Sequence, residues 1–210
     1  MFKKKAFLVT FEGIEGSGKS YHCKKLFKRL IKHRFPAIIT REPGGLKNTN
    51  QIRKILLKGK KNKFNRFTDM LLYLAARSEN VDKIIKPALL NKKIIICDRF
   101  IDSTIAYQFY GFGINKNIIN ILHKEILESI KPNLTFLLKL NVNEAIKRIN
   151  KRKVINRYDR LTKKFYAKAQ KGYLSLAKKN KKRYIVLDTS RNIKDIEKAI
   201  YDNFLRIFKK

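Results

Sequence analysis

Eight residues, Gly13-Ile14-Glu15-Gly16-Ser17-Gly18-Lys19-Ser20, restrict the fold of this chain more than any other stretch. They fit the pattern G-x-x-x-x-G-K-[ST], whose glycines let the backbone curl until successive N–H groups point inward at phosphate oxygens. The pattern carries weight only between a strand and a helix. Here an apolar run over residues 6–11 leads in, and a helical pattern over residues 20–34 leads out. A helix beginning there adds the positive end of its dipole to the cradle. Gly13, Gly16, Ser17 and Gly18 then supply the loop, Lys19 reaches terminal phosphates, and the Ser20 hydroxyl ligates Mg²⁺. A glycine-rich turn before an ordinary helix is the plain alternative, and the flanking pattern speaks against it.

Charge is the next constraint. The 210 residues carry 51 Lys+Arg against 16 Asp+Glu, a formal net charge of +35. A surplus of that size suits nucleic acid, an anionic membrane or small polyanionic substrates. The basic residues are spread along the whole chain, which favours a composition bias or small polyanions over nucleic acid as the primary partner. Hydrophobic residues at 44% argue for a globular chain over a disordered one. The length suits one domain, residues 1–210. The two cysteines, Cys23 and Cys97, make no disulfide framework or zinc spacing, and Cys97 sits in an apolar run as an inert thiol. The basic head Met1–Lys5 precedes a short apolar run ending in Glu12, which reads as a strand and not a signal peptide. No apolar run is long enough to span a membrane, so a cytoplasmic protein is expected.

Strand-like runs recur at residues 6–11, 37–40, 93–97, 134–140 and 184–187, with helical patterns between them and a closing amphipathic helix to Lys210. Continuous apolar strands separated by helices predict an α/β fold, a parallel sheet with helices on both faces. Ligands bind such sheets beyond the carboxyl ends of the strands. The second strand delivers Arg41-Glu42-Pro43-Gly44-Gly45, a turn that is either a connector or a substrate wall. The basic stretch 58–63 reads as a solvated loop. On a long helical pattern over residues 66–90, Tyr73 and Arg77 stand four apart and share a face. They either hold a planar base or form a core Tyr with a snorkelling Arg, and the residues alone favour the latter. The third strand ends in Asp98-Arg99, a metal-positioning carboxylate beside a phosphate clamp or a plain ion pair. Ser103, Thr104, Tyr107 and Gln108 follow as a polar cluster on a short helix. Basic residues from Lys147 run into Asn156-Arg157-Tyr158-Asp159; this stretch, about 148–160, reads as a mobile lid or a solvated helix face. No internal repeat, linker or second domain is visible.

Taken in order, the phosphate loop, the REPGG turn, the LLYLAAR helix and the DRFIDSTIAYQ segment resemble the thymidylate (dTMP) kinase family across nearly the whole chain. EGIEGSGKS alone would indicate only a P-loop kinase. The resemblance implies a five-stranded parallel sheet of P-loop kinase architecture with a mobile lid. It implies transfer of the γ-phosphoryl of ATP to dTMP, with Mg²⁺, in dTTP synthesis, by a homodimer with no obligate nucleic acid or membrane partner. By the same resemblance, Glu15 lies near the sugar 3′-hydroxyl, Pro43 forms a wall, Tyr73 stacks on thymine and Arg77 hydrogen-bonds its carbonyl. Asp98 and Arg99 serve metal and phosphate, Ser103, Thr104 and Gln108 belong to the dTMP site, and Tyr107 crowds the sugar 2′ position.

Gly16 stands where one family subtype carries an arginine, so the chain looks like the bacterial type and its lid must supply the charge. Arg148 is expected on adenine and Arg152 on the phosphates being exchanged, their spacing of four placing both on one helical face. Arg157 is the reserve. The chain departs from the family at Leu46, Asn50, Asn133 and Lys139, none of them assigned to chemistry. Two rival readings remain: a kinase for another nucleoside monophosphate, and a basic nucleic-acid-binding protein using ATP as a switch.

Overall fold

The computed structural model describes residues 5–60 and 62–209. The basic head before Lys5, Lys61 of the 58–63 stretch and the final Lys210 lie outside the described residues. The strands are β1 (Phe7–Glu12), β2 (Ala37–Arg41), β3 (Ile94–Asp98), β4 (Leu134–Lys139) and β5 (Tyr184–Asp188). They form one sheet in the order β2-β3-β1-β4-β5, with every pairing parallel. The expected five-stranded parallel sheet is therefore present. Most strands run one residue past their apolar stretch, because Glu12, Arg41, Asp98 and Asp188 still complete the ladder. Those polar ends are what the sheet offers to a ligand.

The helices are α1 (Lys19–Lys32), α2 (Lys47–Leu57), α3 (Arg66–Asn80), α4 (Lys86–Leu90) and α5 (Ile101–Thr104). Then come α6 (Lys116–Leu127), α7 (Val142–Asn150), α8 (Lys163–Lys179) and α9 (Ile193–Phe208). Strand alternation sends Phe7, Val9 and Phe11 to one face, where they pack with Cys23, Leu26 and Leu30 of α1 and Ile196, Ile200 and Phe204 of α9. Leu8, Ile95 and Cys97 face the other way, onto Val81, Ile85 and Phe100. With both faces covered, all six residues of β1 are buried, which is why the strand reads as a continuous apolar run. Both thiols are free and buried, and burial pushes their pKa values up, as an inert role requires.

The helical pattern over 66–90 is one path, α3 and α4 joined by a π-helical turn at Val81–Ile85. Asn65 caps it by accepting from the Thr68 N–H at 2.8 Å. Pro87 cannot donate to the carbonyl four residues back, and the helix widens just ahead of it. A second π-helical turn, Ile105–Gly111, continues α5 and carries Tyr107 and Gln108. No helix among the described residues is long and apolar enough to cross a membrane.

Candidate active site

The phosphate loop leaves β1 with backbone angles only glycine tolerates. Gly13 has φ +140°, and a Cβ there would lie 2.5 Å from the Leu138 carbonyl oxygen. Gly16 has φ +79°, and its Cβ would lie 2.8 Å from the Ala145 carbonyl oxygen. Gly18 is the cap from which α1 starts, one residue before the expected Ser20. Lys19 is 6% exposed, and its Nζ donates to the Ile14 carbonyl at 2.7 Å and to Ser17 Oγ at 3.3 Å. Burial, aided by the Arg99 cation, pulls the Lys19 ammonium down to about 8. An anion beside it would reverse that shift.

Ser20 Oγ donates to the Asp98 carboxylate across the mouth of the loop. A hydroxyl and a carboxylate are hard oxygen donors of the kind Mg²⁺ takes. Among the described residues no group of three or more His, Cys, Asp or Glu side chains could hold a metal. This pair of oxygen donors fits an ion that keeps waters among its ligands, as Mg²⁺ does.

The left-handed conformation of Arg99, φ +69°, turns its side chain back over the loop. Its guanidinium donates to Glu15 at 2.7 Å, to the Gly13 carbonyl at 3.0 Å, to Tyr173 at 3.0 Å and to Ser103 at 3.1 Å. The ion pair is thus Arg99 with Glu15, not with Asp98. Burial raises the Glu15 carboxyl, but Arg99 and Lys19 outweigh it and hold the group below its usual range. Tyr107 donates its hydroxyl to the other Glu15 oxygen. Ser103 Oγ donates to Glu12 at 2.6 Å, and the Phe100 N–H reaches the second Glu12 oxygen at 2.8 Å. Burial and the neighbouring Asp102 push the Glu12 carboxyl up.

Arg77 does not snorkel, contrary to what its residue type alone favours. It is 2% exposed and pairs through Nε with Glu42 of the REPGG turn at 2.6 Å. Nη1 donates to Thr104 at 2.7 Å and meets His123 Nε2 at 2.8 Å, while Nη2 donates to the Phe100 carbonyl at 2.9 Å. The turn is therefore a structural partner as well as a wall, since Glu42 also accepts from Asn80 at 3.2 Å. Tyr73 lies over Tyr158 with ring centroids 5.7 Å apart, edge to face.

One cleft collects nearly all of these groups. Glu15, Lys19, Ser20, Pro43 and Tyr73 line it together with Arg77, Asp98 and Arg99, and so do Ser103, Thr104, Tyr107, Gln108 and Arg152. A second, adjoining hollow is lined by Gly16, Gly18, Lys19, Ser20, Arg148 and Arg152. Gly13 and Ser17 stay behind the cleft and shape the loop. Arg148 and Arg152 do not share a helix, because α7 ends at Asn150 and the Arg152 N–H closes a tighter turn onto the Ile149 carbonyl at 3.0 Å. Arg148 donates to the Gly16 carbonyl at 3.4 Å and the Thr189 carbonyl at 3.1 Å. Arg152, with 38% of its side chain exposed, pairs with Asp159 at 2.8 Å.

The reserve arginine, Arg157, is 2% exposed and donates to the Leu56 carbonyl and to Asp69, and it lines neither hollow. Within the expected lid residues 150–155 form a continuous exposed run, whereas Ile149 and residues 157–159 are buried. Sequence reasoning missed Arg41, Arg53 and Tyr158, which also line the cleft. Arg53 donates to the Pro43 carbonyl at 2.8 Å, but its neighbours Lys54 and Lys58 disguise it as part of a solvated face.

The thymidylate kinase family profile matches residues 11–200. The thymidylate kinase of Halothermothrix orenii is 40% identical over 200 residues, spanning 94% of this chain and 95% of that protein. That of Ehrlichia ruminantium (strain Gardel) is 40% identical over 204 residues, spanning 95% and 97%. The crystal structure of thymidylate kinase from Ehrlichia chaffeensis superposes with a TM-score of 0.77 at 32% identity, covering 97% of this chain and 98% of that one. A phosphate loop opening onto a cleft with a buried, carboxylate-paired arginine, in a chain matched along nearly its full length, places this protein in the thymidylate kinase family.

Proposed function

We propose that the protein transfers the γ-phosphoryl of ATP to dTMP, releasing dTDP and ADP. The observation that carries this is the continuity of one cleft from Lys19 and Arg99 to Tyr73, Arg77 and Tyr107. An oxygen of the dTMP phosphate attacks the γ-phosphorus, and the bond from that phosphorus to the β,γ-bridging oxygen breaks. The attacking oxygen is already anionic, so no general base is required. The work left to the protein is alignment and neutralisation of spreading negative charge. Lys19, Arg99 and Arg152 supply cations, while the loop from Gly13 through Gly16, Ser17 and Gly18 offers N–H groups and Arg148 flanks adenine. Ser20 and Asp98 would hold Mg²⁺, which would supply positive charge against the phosphates.

On the acceptor side, thymine lies against Tyr73 and Pro43, and Arg77 donates to one of its carbonyls. Thr104, Ser103 and Gln108 border the base and phosphate. Glu15 meets the sugar near its 3′-hydroxyl, and the Tyr107 ring occupies the space a 2′-hydroxyl would need. Residues 148–160 act as the lid that excludes water, a competing acceptor. The protein works as one domain, in the cytoplasm, as a homodimer without an obligate nucleic acid partner. Phe67 and Leu71 of α3 and Ile118 and Ile121 of α6, all exposed, are apolar surface a second copy would cover.

The test is ADP release measured with and without dTMP, followed by a panel of dUMP, dCMP and dGMP. Strict dependence on dTMP is expected. Faster turnover of another monophosphate would replace the acceptor, and DNA- or RNA-stimulated ATPase without dTMP dependence would overturn the kinase reading.

A further inference from the structure

His123 meets Arg77 from α6, and no role assigned above uses it. A guanidinium has only N–H donors, so the 2.8 Å contact between Arg77 Nη1 and His123 Nε2 assigns the imidazole. Nε2 accepts, the ring proton sits on Nδ1, and the ring is neutral. Burial and the Arg77 cation hold its pKa down to about 3, so it stays neutral at any working pH.

The donors of Arg77 can be counted. Nε is taken by Glu42, both N–H groups of Nη1 by Thr104 and His123, and one N–H of Nη2 by the Phe100 carbonyl. A guanidinium carries five N–H groups in a rigid plane. One Nη2–H is left, on a residue that lines the cleft. We propose that His123 is a positioning residue for base recognition: as a neutral acceptor behind Arg77, it fixes the guanidinium plane so that the single uncommitted Nη2–H meets a pyrimidine carbonyl. The proposal rests on the dTMP reading above.

The identity of the residue follows from charge balance. Glu42 already matches the Arg77 charge at 2.6 Å. A second carboxylate at position 123 would leave excess negative charge buried, and a cation would repel the guanidinium. A side chain that cannot accept would strand an Nη1–H in the interior. The guanidinium would then turn to satisfy it, and the N–H aimed at the base would turn too. A lone fixed donor also discriminates, because it welcomes a carbonyl oxygen and opposes the amino group of cytosine. His123 therefore contributes to selectivity without touching the ligand.

His123→Leu keeps volume and removes the acceptor, whereas His123→Gln places an amide oxygen near the Nε2 position. Steady-state kinetics with dTMP, dCMP and ATP, plus thermal melts, read the difference. His123→Leu should raise KM for dTMP about tenfold, a loss in the range of one stranded buried donor, with KM for ATP unchanged. The preference for dTMP over dCMP should narrow by a similar factor. His123→Gln should bring both values back to within about twofold of the unsubstituted protein. A His123→Leu protein with unchanged KM for dTMP, whatever its melting temperature, would overturn the proposal. So would a His123→Gln protein as impaired as His123→Leu. Absence of dTMP-dependent ADP release in the unsubstituted protein is a separate outcome, which would remove the dTMP reading and this proposal with it.

Discussion

Arg77 and Arg152 line the same cleft and are held in opposite ways. Arg77 is buried, paired with Glu42 and bonded through all three of its nitrogens. Arg152 is 38% exposed and held by one ion pair with Asp159. Burying a guanidinium costs several kcal/mol in desolvation, about the scale that its partners must offset during folding. Asp159 is buried but also accepts from the Asn156 backbone and side-chain N–H groups, so its carboxylate keeps partners if Arg152 turns to a stronger anion. The Arg77 side of the cleft, where the proposed function puts the acceptor base, is therefore ordered without a ligand, and binding there would lose little further freedom. On the proposed reading, Arg152 would be ordered by the phosphate charge it meets.

The largest effect should fall on the loosely held side. Arg152→Ala is expected to lower kcat by ~10³-fold, the scale of an arginine lost from a transferring phosphoryl group. Its melting temperature and KM for ATP should barely move. Arg157→Ala should behave in reverse, because leaving Asp69 buried without its partner costs roughly 3–5 kcal/mol of stability while the cleft keeps its cations. Single-turnover rates and thermal melts on both proteins decide the contrast, and a reversed pattern would break it.

Lys19→Ala should lower kcat about a hundredfold or more, with the fold intact. The native lysine also makes a pH signature. Its ammonium is held down near 8, so the free protein loses that charge as pH rises through 8. Bound phosphates restore the higher value, and ATP binding should take up about half a proton at pH 8 and more at pH 9. Calorimetry in buffers of different ionisation heat measures this, and release of protons instead would contradict the environment assigned to Lys19.

Arg77→Ala should raise KM for dTMP by roughly tenfold or more, with KM for ATP nearly constant. Unlike Arg152→Ala it should also lower the melting temperature, since Glu42 loses its partner. Equal effects on both substrates would reduce Arg77 to a support of the fold. The smallest effect is expected at Tyr107. Tyr107→Ala should narrow the preference for dTMP over its ribo analogue by about tenfold or less, read as a ratio of kcat/KM values. An unchanged ratio would place sugar selectivity elsewhere in the cleft.

Much of the site was legible because its signals are local. The phosphate loop needs glycine at fixed offsets from Lys19 and Ser20, and the strand before it needs an apolar run. Both requirements are met within fourteen or so consecutive residues, and no distant contact can disguise them. The polar strand ends were harder, because Glu12 and Arg41 end their ladders with charged groups that period and hydropathy discount. Arg157 was harder to place for a related reason. Arg157 sits in a basic, weakly patterned stretch, yet its partners Leu56 and Asp69 come from α2 and α3.

The sequence alone determined the alternation of strands and helices, the phosphate loop and the residue types available for a phosphate-and-base site. Tertiary structure decided which of the many cations became fixed. Arg77 and Arg157 lie among dozens of basic residues, and no neighbour in sequence distinguishes them from a solvated lysine. Glu42 meets Arg77 across 35 positions, His123 meets it across 46, and Asp69 meets Arg157 across 88. Periodicity and propensity act within a few residues, whereas a buried charge is selected by partners that only the folded sheet brings within hydrogen-bonding distance.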